Sequence, residues 1–228
     1  MNDYRFSLNG ADLVALPSGA LWWPDQALAV VSDLHLGKSE RMARRGGAML
    51  PPYEVRETLE RLEAVLDTSC ARKVVCLGDT FDDLDAMDNL REDEALWLTR
   101  LMAGREWVWI EGNHDPGPTA FGGAHLAEMA MGPLTFRHIA APDAGPGEVS
   151  GHYHPKMRFG AGSHRAFLLD ERRVILPAFG TFTGGLRHSD AALAGLMQPP
   201  ARAILTGKRA LAVPLPCGDQ ADSRASTA

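Results

Sequence analysis

Five stretches of this sequence carry side chains that could bind divalent cations. In chain order they read D-x-H, G-D, G-N-H-D, a single H and G-H-x-H, and their polar residues are Asp33, His35, Asp79, Asn113, His114, Asp115, His138, His152 and His154. Mixed imidazole and oxygen ligands favour borderline first-row metals such as Mn, Fe, Zn or Co over Ca, and the absence of cysteine from this set of residues argues against a soft thiolate site. The stretches therefore predict a site for such metals.

Each stretch also has an ordinary structural explanation when it is taken alone. Asp79 could cap a following helix, Asn113 and Asp115 could be turn residues, and His138 could be a partly buried histidine. His152 and His154 would point to the same side of a strand, where one could simply be exposed. The order and position of all five stretches together favour a shared site over these separate explanations.

The elements of the first half would place these stretches at one edge of a sheet. "ALAVVSD", "KVVCLGD" and "EWVWIEGNHD" have the length and composition of buried strands that end in polar residues. The apolar spacing over 54–67 predicts a helix, a second helix is predicted over 85–104 with Gly104 as its stop, and "GKSERMARRGGAMLPPYE" is interpreted as a loop. Alternating strands and helices predict a parallel sheet, with ligands bound outside the carboxyl ends of its strands.

The second half has a different pattern. "PLTFRH", "GEVSGHYH", "RAFLLDERRVILPAFG" and "RAILTGKRALAVPL" resemble strands and hairpins, with turns at Asp170-Glu171 and Gly207-Lys208. We therefore predict a second, more antiparallel sheet that packs on the first and brings His138, His152 and His154 to the same site. Residues 1–216 are expected to form a single domain, and the polar tail 217–228 is expected to be disordered.

Composition limits the classes of function. The chain has 228 residues, a net charge of -6 and 45% hydrophobic residues, with no apolar run long enough for a membrane span and no secretory signal. A cytoplasmic protein is expected, and its three cysteines (Cys70, Cys76 and Cys217) are expected to be reduced. The acidic charge argues against binding a polyanion over the whole surface, but it leaves room for a local basic rim.

The order of the five stretches resembles that of the calcineurin-like metallophosphoesterase superfamily. This resemblance implies an α/β fold of the αββα type, in which two mixed β-sheets pack together and are flanked by helices. It implies two divalent metal ions per chain, most simply Mn, with Fe or Zn as alternatives. Asp33, His35, Asp79 and His154 would bind one ion, while Asp79, Asn113, His138 and His152 would bind the other.

The same resemblance implies a mechanism. A hydroxide bridging the two metals would attack phosphorus, while His114 would act as general acid for the leaving oxygen. Asp115 is expected to fix the tautomer and ring orientation of His114, which could otherwise be a purely structural histidine.

A closer resemblance covers nearly the whole chain. "DLHLGKSERMARRGGAMLPP", "GEVSGHYHPKMR" and "LPAFGTFTGG" are similar to the bacterial ligase-associated phosphoesterases of the PdeM type, described as DNA damage response endonucleases. This similarity implies cleavage of single-stranded DNA in repair, in functional association with an ATP-dependent DNA ligase, a helicase and an exonuclease. Protein phosphatases carry an Arg-Gly pair that "GDTFDD" lacks, and Asp82 and Asp83 stand where the ligase-associated family has a histidine.

Substrate contacts are expected from basic residues near the predicted metal site. Lys38 and Arg41 follow the first stretch, Arg158 follows the last, and Arg187 comes after the Gly-Gly pair at 184 and 185. Two other functions remain open from the sequence. One is hydrolysis of a small phosphodiester or pyrophosphate, and the other is a non-catalytic scaffold.

Overall fold

A first mixed sheet carries the amino-terminal half of the site. The computed structural model describes residues 2–46, 51 and 53–215, so Cys217 and the tail predicted to be disordered lie outside the described residues. The strands of this sheet, in spatial order, are β1 (Tyr4–Leu8), β2 (Ala11–Ala15), β3 (Leu21–Trp23), β4 (Leu28–Val31), β5 (Lys73–Leu77), β6 (Glu106–Ile110) and β7 (Ala124–Leu126). Strands β1 to β4 pair antiparallel, and β4 to β7 pair parallel, as predicted for β4, β5 and β6.

A second mixed sheet carries the remaining site residues. Its strands are β8 (Glu128–Met131), β9 (Leu134–Arg137), β10 (Glu148–Ser150), β11 (Lys156–Phe159), β12 (Gly162–Leu169), β13 (Arg173–Ile175), β14 (Arg202–Leu205) and β15 (Leu211–Pro214). The spatial order is β15-β14-β12-β13-β10-β9-β8, and β11 pairs with β12. Only the pairings of β10 with β9 and β13 are parallel, in agreement with the prediction of a more antiparallel sheet.

The main hydrophobic core lies between the two sheets. Val30, Val75 and Val108 of the first sheet join Phe136 and Phe167 of the second in one buried cluster. Alternate residues of β4, β5 and β6 face the other way and contact the helices, so these strands are buried on both faces, as their continuous apolar sequences predict. The result is the predicted sandwich of two sheets with helices outside.

The helices cover the outer faces of the sheets. They are α1 (Lys38–Arg44), α2 (Glu54–Ser69), α3 (Leu84–Asp88), α4 (Glu92–Met102) and α5 (Ala191–Ala194). The apolar face of α2 packs on the first sheet through Val55, Leu59 and Leu62, as its spacing predicts. Leu193 of α5 packs against the outer face of the second sheet.

Two predictions for the helices were wrong. The segment interpreted as a loop contains α1, which Arg44 ties to α3 through Asp83 at 3.0 Å and Asp85 at 2.9 Å. The single helix predicted over 85–104 is two helices, because Asn89 closes α3 and Arg91 adopts an extended conformation before α4. The loop prediction rested on the Gly, Arg and Pro content of the segment, which ion pairs to α3 outweigh. The single-helix prediction rested on apolar spacing, which the end of α3 at Asn89 interrupts.

Candidate metal centre

The candidate metal ligands lie just beyond strand ends, in an unusual backbone conformation. Positive φ angles occur at nine non-glycine residues of the described chain, and five of them are Asp33, His35, Asp79, His152 and His154. Left-handed backbone is unfavourable for such residues and concentrates at functional sites. The expectation that His152 and His154 extend a strand was wrong, because β10 ends at Ser150 and both histidines follow in a loop.

Two glycines allow these loops to approach each other. A Cβ atom on Gly151 would collide with the side chain of Ser32 and lie 2.7 Å from an Asp33 oxygen. A Cβ atom on Gly112 would collide with the backbone of Asp79 and its carboxylate. The glycines of the G-H-x-H and G-N-H-D stretches thus leave the space in which side chains from separate strands converge.

Asp33, His35 and His154 form a first cluster of ligand atoms. The Nε2 atoms of His35 and His154 lie 3.3 Å apart, and Nε2 of His154 lies 3.1 Å from Oδ1 of Asp33. Ligands bound to one cation at about 2.0–2.2 Å in tetrahedral geometry are separated by roughly 3.3–3.6 Å, and octahedral edges are shorter. These separations suit three ligands of one metal ion.

Asp79, His138 and His152 form a second cluster. Nε2 of His138 lies 3.2 Å from Nδ1 of His152, 3.0 Å from Oδ1 of Asn113 and 3.4 Å from Oδ2 of Asp79. Nδ1 of His138 donates to the carbonyl of Leu77 at 2.7 Å, which directs Nε2 into the cluster. The side chains predicted to share the second ion are therefore brought together.

Asp79 lies between the two clusters. Its Oδ1 accepts a hydrogen bond from the backbone of His114 at 2.9 Å, which leaves Oδ2 directed into the site. That oxygen lies 3.4 Å from Nε2 of His138 and 3.9 Å from Nε2 of His35. Two nearby cations repel each other and need negative charge between them, and the position of Asp79 would allow its carboxylate to supply that charge to both.

The donor set fits divalent cations on its own chemistry. Oδ1 of Asp33 is buried without a hydrogen-bond partner, because its 3.1 Å approach to His154 lacks hydrogen-bond geometry. Such a buried and unpartnered carboxylate oxygen is costly unless positive charge faces it. The described structure thus contains ligand atoms arranged around positions that a cation would fill.

The carboxylates and imidazoles of the two clusters shift one another's pKa values. Burial opposes ionisation of Asp79, but its contacts with His138, the His114 backbone and His35 outweigh it and lower the pKa of Asp79. Burial would lower the pKa of His138, but Asp79 and Asp33 outweigh burial and raise it. Burial and the neighbouring His138 lower the pKa of His152, which favours the neutral ring that binds metals.

Asp82 has a role that the sequence did not reveal. Its side chain is fully buried, and its Oδ1 lies 2.8 Å from Nδ1 of His35, while Oδ2 is paired with Nε of Arg41. A carboxylate behind an imidazole fixes the tautomer and orients the opposite nitrogen toward a metal. Asp82 is thus a positioning residue for His35.

The predicted orienting role of Asp115 was wrong. Its carboxylate accepts hydrogen bonds from the backbone of Asp79 at 2.9 Å, Thr80 at 2.7 Å and Phe81 at 3.2 Å. Burial, opposed by these bonds, raises the pKa of Asp115 to about 6. Asp115 therefore holds the loop that carries Asp79.

The His114 ring is oriented by a backbone group instead. Its Nδ1 donates to the carbonyl of Asp82 at 2.8 Å, and its ring stands edge-on to His35 with centroids 5.1 Å apart. A carbonyl can only accept, so Nδ1 carries the proton in the neutral ring and Nε2 is left for another partner. His114 borders the first cluster, and together with His35 and Asp82 it forms a further group of ligand-type atoms.

The four predicted substrate contacts differ in their environments. Arg41 is held by the buried Asp82, so its charge is committed within the protein. Arg158 and Arg187 are exposed, and Arg187 lies beside Lys156 through an isolated backbone pairing. Lys38 is half-buried at the first position of α1.

Comparison with known proteins assigns the family. The family model "Calcineurin-like phosphoesterase" matches residues 27–172, which include all the candidate metal ligands. The chain belongs to this family. It is accordingly a metal-dependent phosphoesterase, a hydrolase that acts on ester bonds, and the predicted enzyme class is confirmed.

A solved structure resembles this phosphoesterase over most of its length. The nuclease MPE of Pseudomonas putida matches with a TM-score of 0.72 and 25% sequence identity, covering 94% of this chain and 100% of that chain. No curated protein sequence gives a significant match. No helix among the described residues has both the length and the apolar character needed to cross a membrane.

Proposed function

We propose that this phosphoesterase is a dinuclear metal-dependent endonuclease that cleaves phosphodiester bonds in single-stranded DNA. The observation that carries the proposal is the position of Asp79, whose Oδ2 lies between the two clusters of ligand atoms. Sites with two metals commonly serve displacement at phosphorus, in which both the attacking and the leaving oxygen must be stabilised. The resemblance to a solved nuclease over nearly the whole chain supports a nucleic acid as the substrate, and DNA is our proposal.

Asp33, His35, Asp79 and His154 would hold one ion, and Asp79, Asn113, His138 and His152 the other. Two divalent cations, with Mn as our proposal, would supply activation of water and neutralisation of the charge on phosphate. Asn113 provides a neutral oxygen, which limits the negative charge around the pair. Asp82 and the Leu77 carbonyl set the ring orientations of His35 and His138.

His114 is the proposed general acid. With Nδ1 bound to the Asp82 carbonyl, protonation adds the second proton at Nε2. Nε2 would deliver that proton to the leaving alkoxide oxygen, which is a poor leaving group without it. The hydrogen bond to the Asp82 carbonyl fixes the His114 ring. Asp115, the next residue, holds the loop that carries Asp79 against this segment.

The proposed biological setting is DNA repair, together with an ATP-dependent ligase, a helicase and an exonuclease. Circular single-stranded DNA is the most informative substrate, since it has no ends for an exonuclease. We expect linear products with Mn, none with chelator, and none from the Asp79→Asn variant. Hydrolysis of bis-p-nitrophenyl phosphate with circles left intact would instead identify a small phosphodiester as the substrate and contradict the nuclease proposal.

A further inference from the structure

A loop at residues 179–185 forms hydrogen bonds with both of the segments that carry the first cluster. The backbone of Phe179 donates to the Ser32 carbonyl at 2.7 Å, and Gly180 donates to the Asp33 carbonyl at 3.1 Å. At the other end, Nζ of Lys156 donates to the carbonyl of Thr183 at 3.3 Å. The loop is therefore fixed beside Asp33 at one end and beside the segment that follows His154 at the other.

Phe182 is presented to solvent in the middle of this loop. Its neighbours Thr181 and Thr183 are 8% and 6% exposed, whereas Phe182 is 40% exposed and has a φ angle of 56°. Thr181 is held by Thr58, whose Oγ1 accepts from its backbone at 3.1 Å. A bulky residue in left-handed conformation is strained, and here that conformation directs an apolar ring to solvent instead of into the core.

Two lysines near this loop have no carboxylate partner among the described residues. Lys156 is partly buried, its Nζ donates to the loop at the Thr183 carbonyl, and Lys38 lies within electrostatic range of it. Arg41 and Arg44 are by contrast paired with Asp82 and Asp83. Ammonium groups held near one another without a counter-ion provide a site for an anion.

We propose that Phe182, Lys156 and Lys38 form a nucleotide subsite beside the first cluster. Phe182 stacks on an unpaired base, while the two lysines bind a phosphate that adjoins the scissile one. The subsite rests on the proposed nuclease function and specifies its substrate, because only an unpaired base exposes a free face to an aromatic ring. Stacking of this kind tolerates any base, so the subsite would select single strands without selecting sequence.

Binding to metal-free protein tests the subsite without turnover. In the presence of EDTA, fluorescence anisotropy with a labelled oligothymidylate measures the dissociation constant. Phe182→Ala should weaken binding by roughly 5- to 150-fold, the range for loss of one stacked base, and Phe182→Trp should restore it. Phe159, which is 46% exposed at the end of β11, provides the matched control, and Phe159→Ala should change the constant less than twofold.

The contribution of the two lysines is measured separately, from the salt dependence of the binding affinity. Loss of one phosphate contact lowers the slope of log affinity against log salt by about 0.7 for a single strand. Lys156→Met and Lys38→Met should each produce this change, while Lys208→Met, in the turn between β14 and β15, should not. Unchanged slopes for both lysine variants would overturn the phosphate part of the subsite.

An oligonucleotide with base-free positions isolates the stacking. If Phe182 stacks on a base, Phe182→Ala should bind this strand as tightly as the unsubstituted protein does. If Phe182→Ala loses the same affinity for intact and base-free strands, Phe182 does not stack on a base. The same conclusion follows if this variant loses no affinity for intact strands. These outcomes are distinguishable from failure of the nuclease proposal, in which the unsubstituted protein itself leaves circular single strands uncut.

Discussion

Oδ1 of Asp82 lies 2.8 Å from Nδ1 of His35, so a fully buried carboxylate supports a candidate metal ligand from behind. The other oxygen of Asp82 is paired with Arg41, which reduces the cost of burying this charge. The contact fixes the ring of His35 with Nε2 toward His154 and Asp79. Metal affinity should therefore depend on a residue that does not itself reach the ion.

Asp82→Asn should lower metal affinity without unfolding the protein. The amide keeps the shape of the side chain but loses the charge that makes the imidazole basic, and loss of such partners typically costs about 10–100-fold in affinity. Titration of Mn into metal-free protein by calorimetry measures the effect. Asp83→Asn is the matched control, because Asn also caps α3, and the account fails if both variants bind Mn equally well.

His114→Ala should retain both metal ions but slow turnover. The loss should reach roughly 10²–10⁴-fold for alkoxide leaving groups, which need a proton, and should be much smaller for p-nitrophenolate, which does not. Rates on a DNA dinucleotide linkage and on bis-p-nitrophenyl phosphate provide the comparison, together with metal analysis of the variant. Equal losses on both substrates would remove His114 from the role of acid.

Glu54 should make the protein less stable as pH rises. Its buried carboxyl accepts from the backbone and hydroxyl of Ser39 at 3.3 and 3.4 Å, and burial raises its pKa to about 7 from 4.5. Between these values the unfolded chain has released a proton that the folded protein keeps, so folding stability falls as pH rises through this window. The total change is about 3 kcal/mol for a shift of this size.

Glu54→Gln should remove this contribution. Denaturant unfolding of metal-free protein at pH 4.5 and pH 8 gives the free energy of unfolding for both forms. The variant should gain about 3 kcal/mol relative to the unsubstituted protein as pH is raised across this range. A difference between the two forms that does not vary with pH would show that Glu54 has the same pKa in the folded and unfolded states.

Asp115→Asn should destabilise the protein and loosen the Asp79 loop. The amide retains one acceptor oxygen, but its NH₂ group would face backbone donors that Asp115 now binds. A buried donor left without its acceptor costs about 1–3 kcal/mol, and more where the lost acceptor is charged. Urea unfolding measures the loss, with the exposed Asp143→Asn as control, and similar midpoints for both variants would contradict the assigned role.

The sequence identified side chains that the structure brings together in two clusters, but it did not reveal the residues that support them. Asp33, Asp79 and Asn113 follow buried strands whose parallel pairing brings their ends together. The local sequence pattern and the strand topology were therefore enough to predict that these side chains lie close together. Asp82 supports His35 across 47 positions of sequence, and Asp115 binds Phe81 across 34. Such contacts depend on how two loops pack against each other, and the spacing of apolar residues in the sequence does not predict this. For the same reason α1, held by ion pairs to a distant helix, was interpreted as a loop.

The number of metal ions bound per chain tests the central claim most directly. Metal-free protein equilibrated with Mn, freed of excess ion by gel filtration and analysed by mass spectrometry should contain two ions per chain. Asp79→Asn, which alters the carboxylate between the clusters, should contain fewer. One ion or none in the unsubstituted protein at saturating Mn, with the fold intact by circular dichroism, would contradict the two-metal centre.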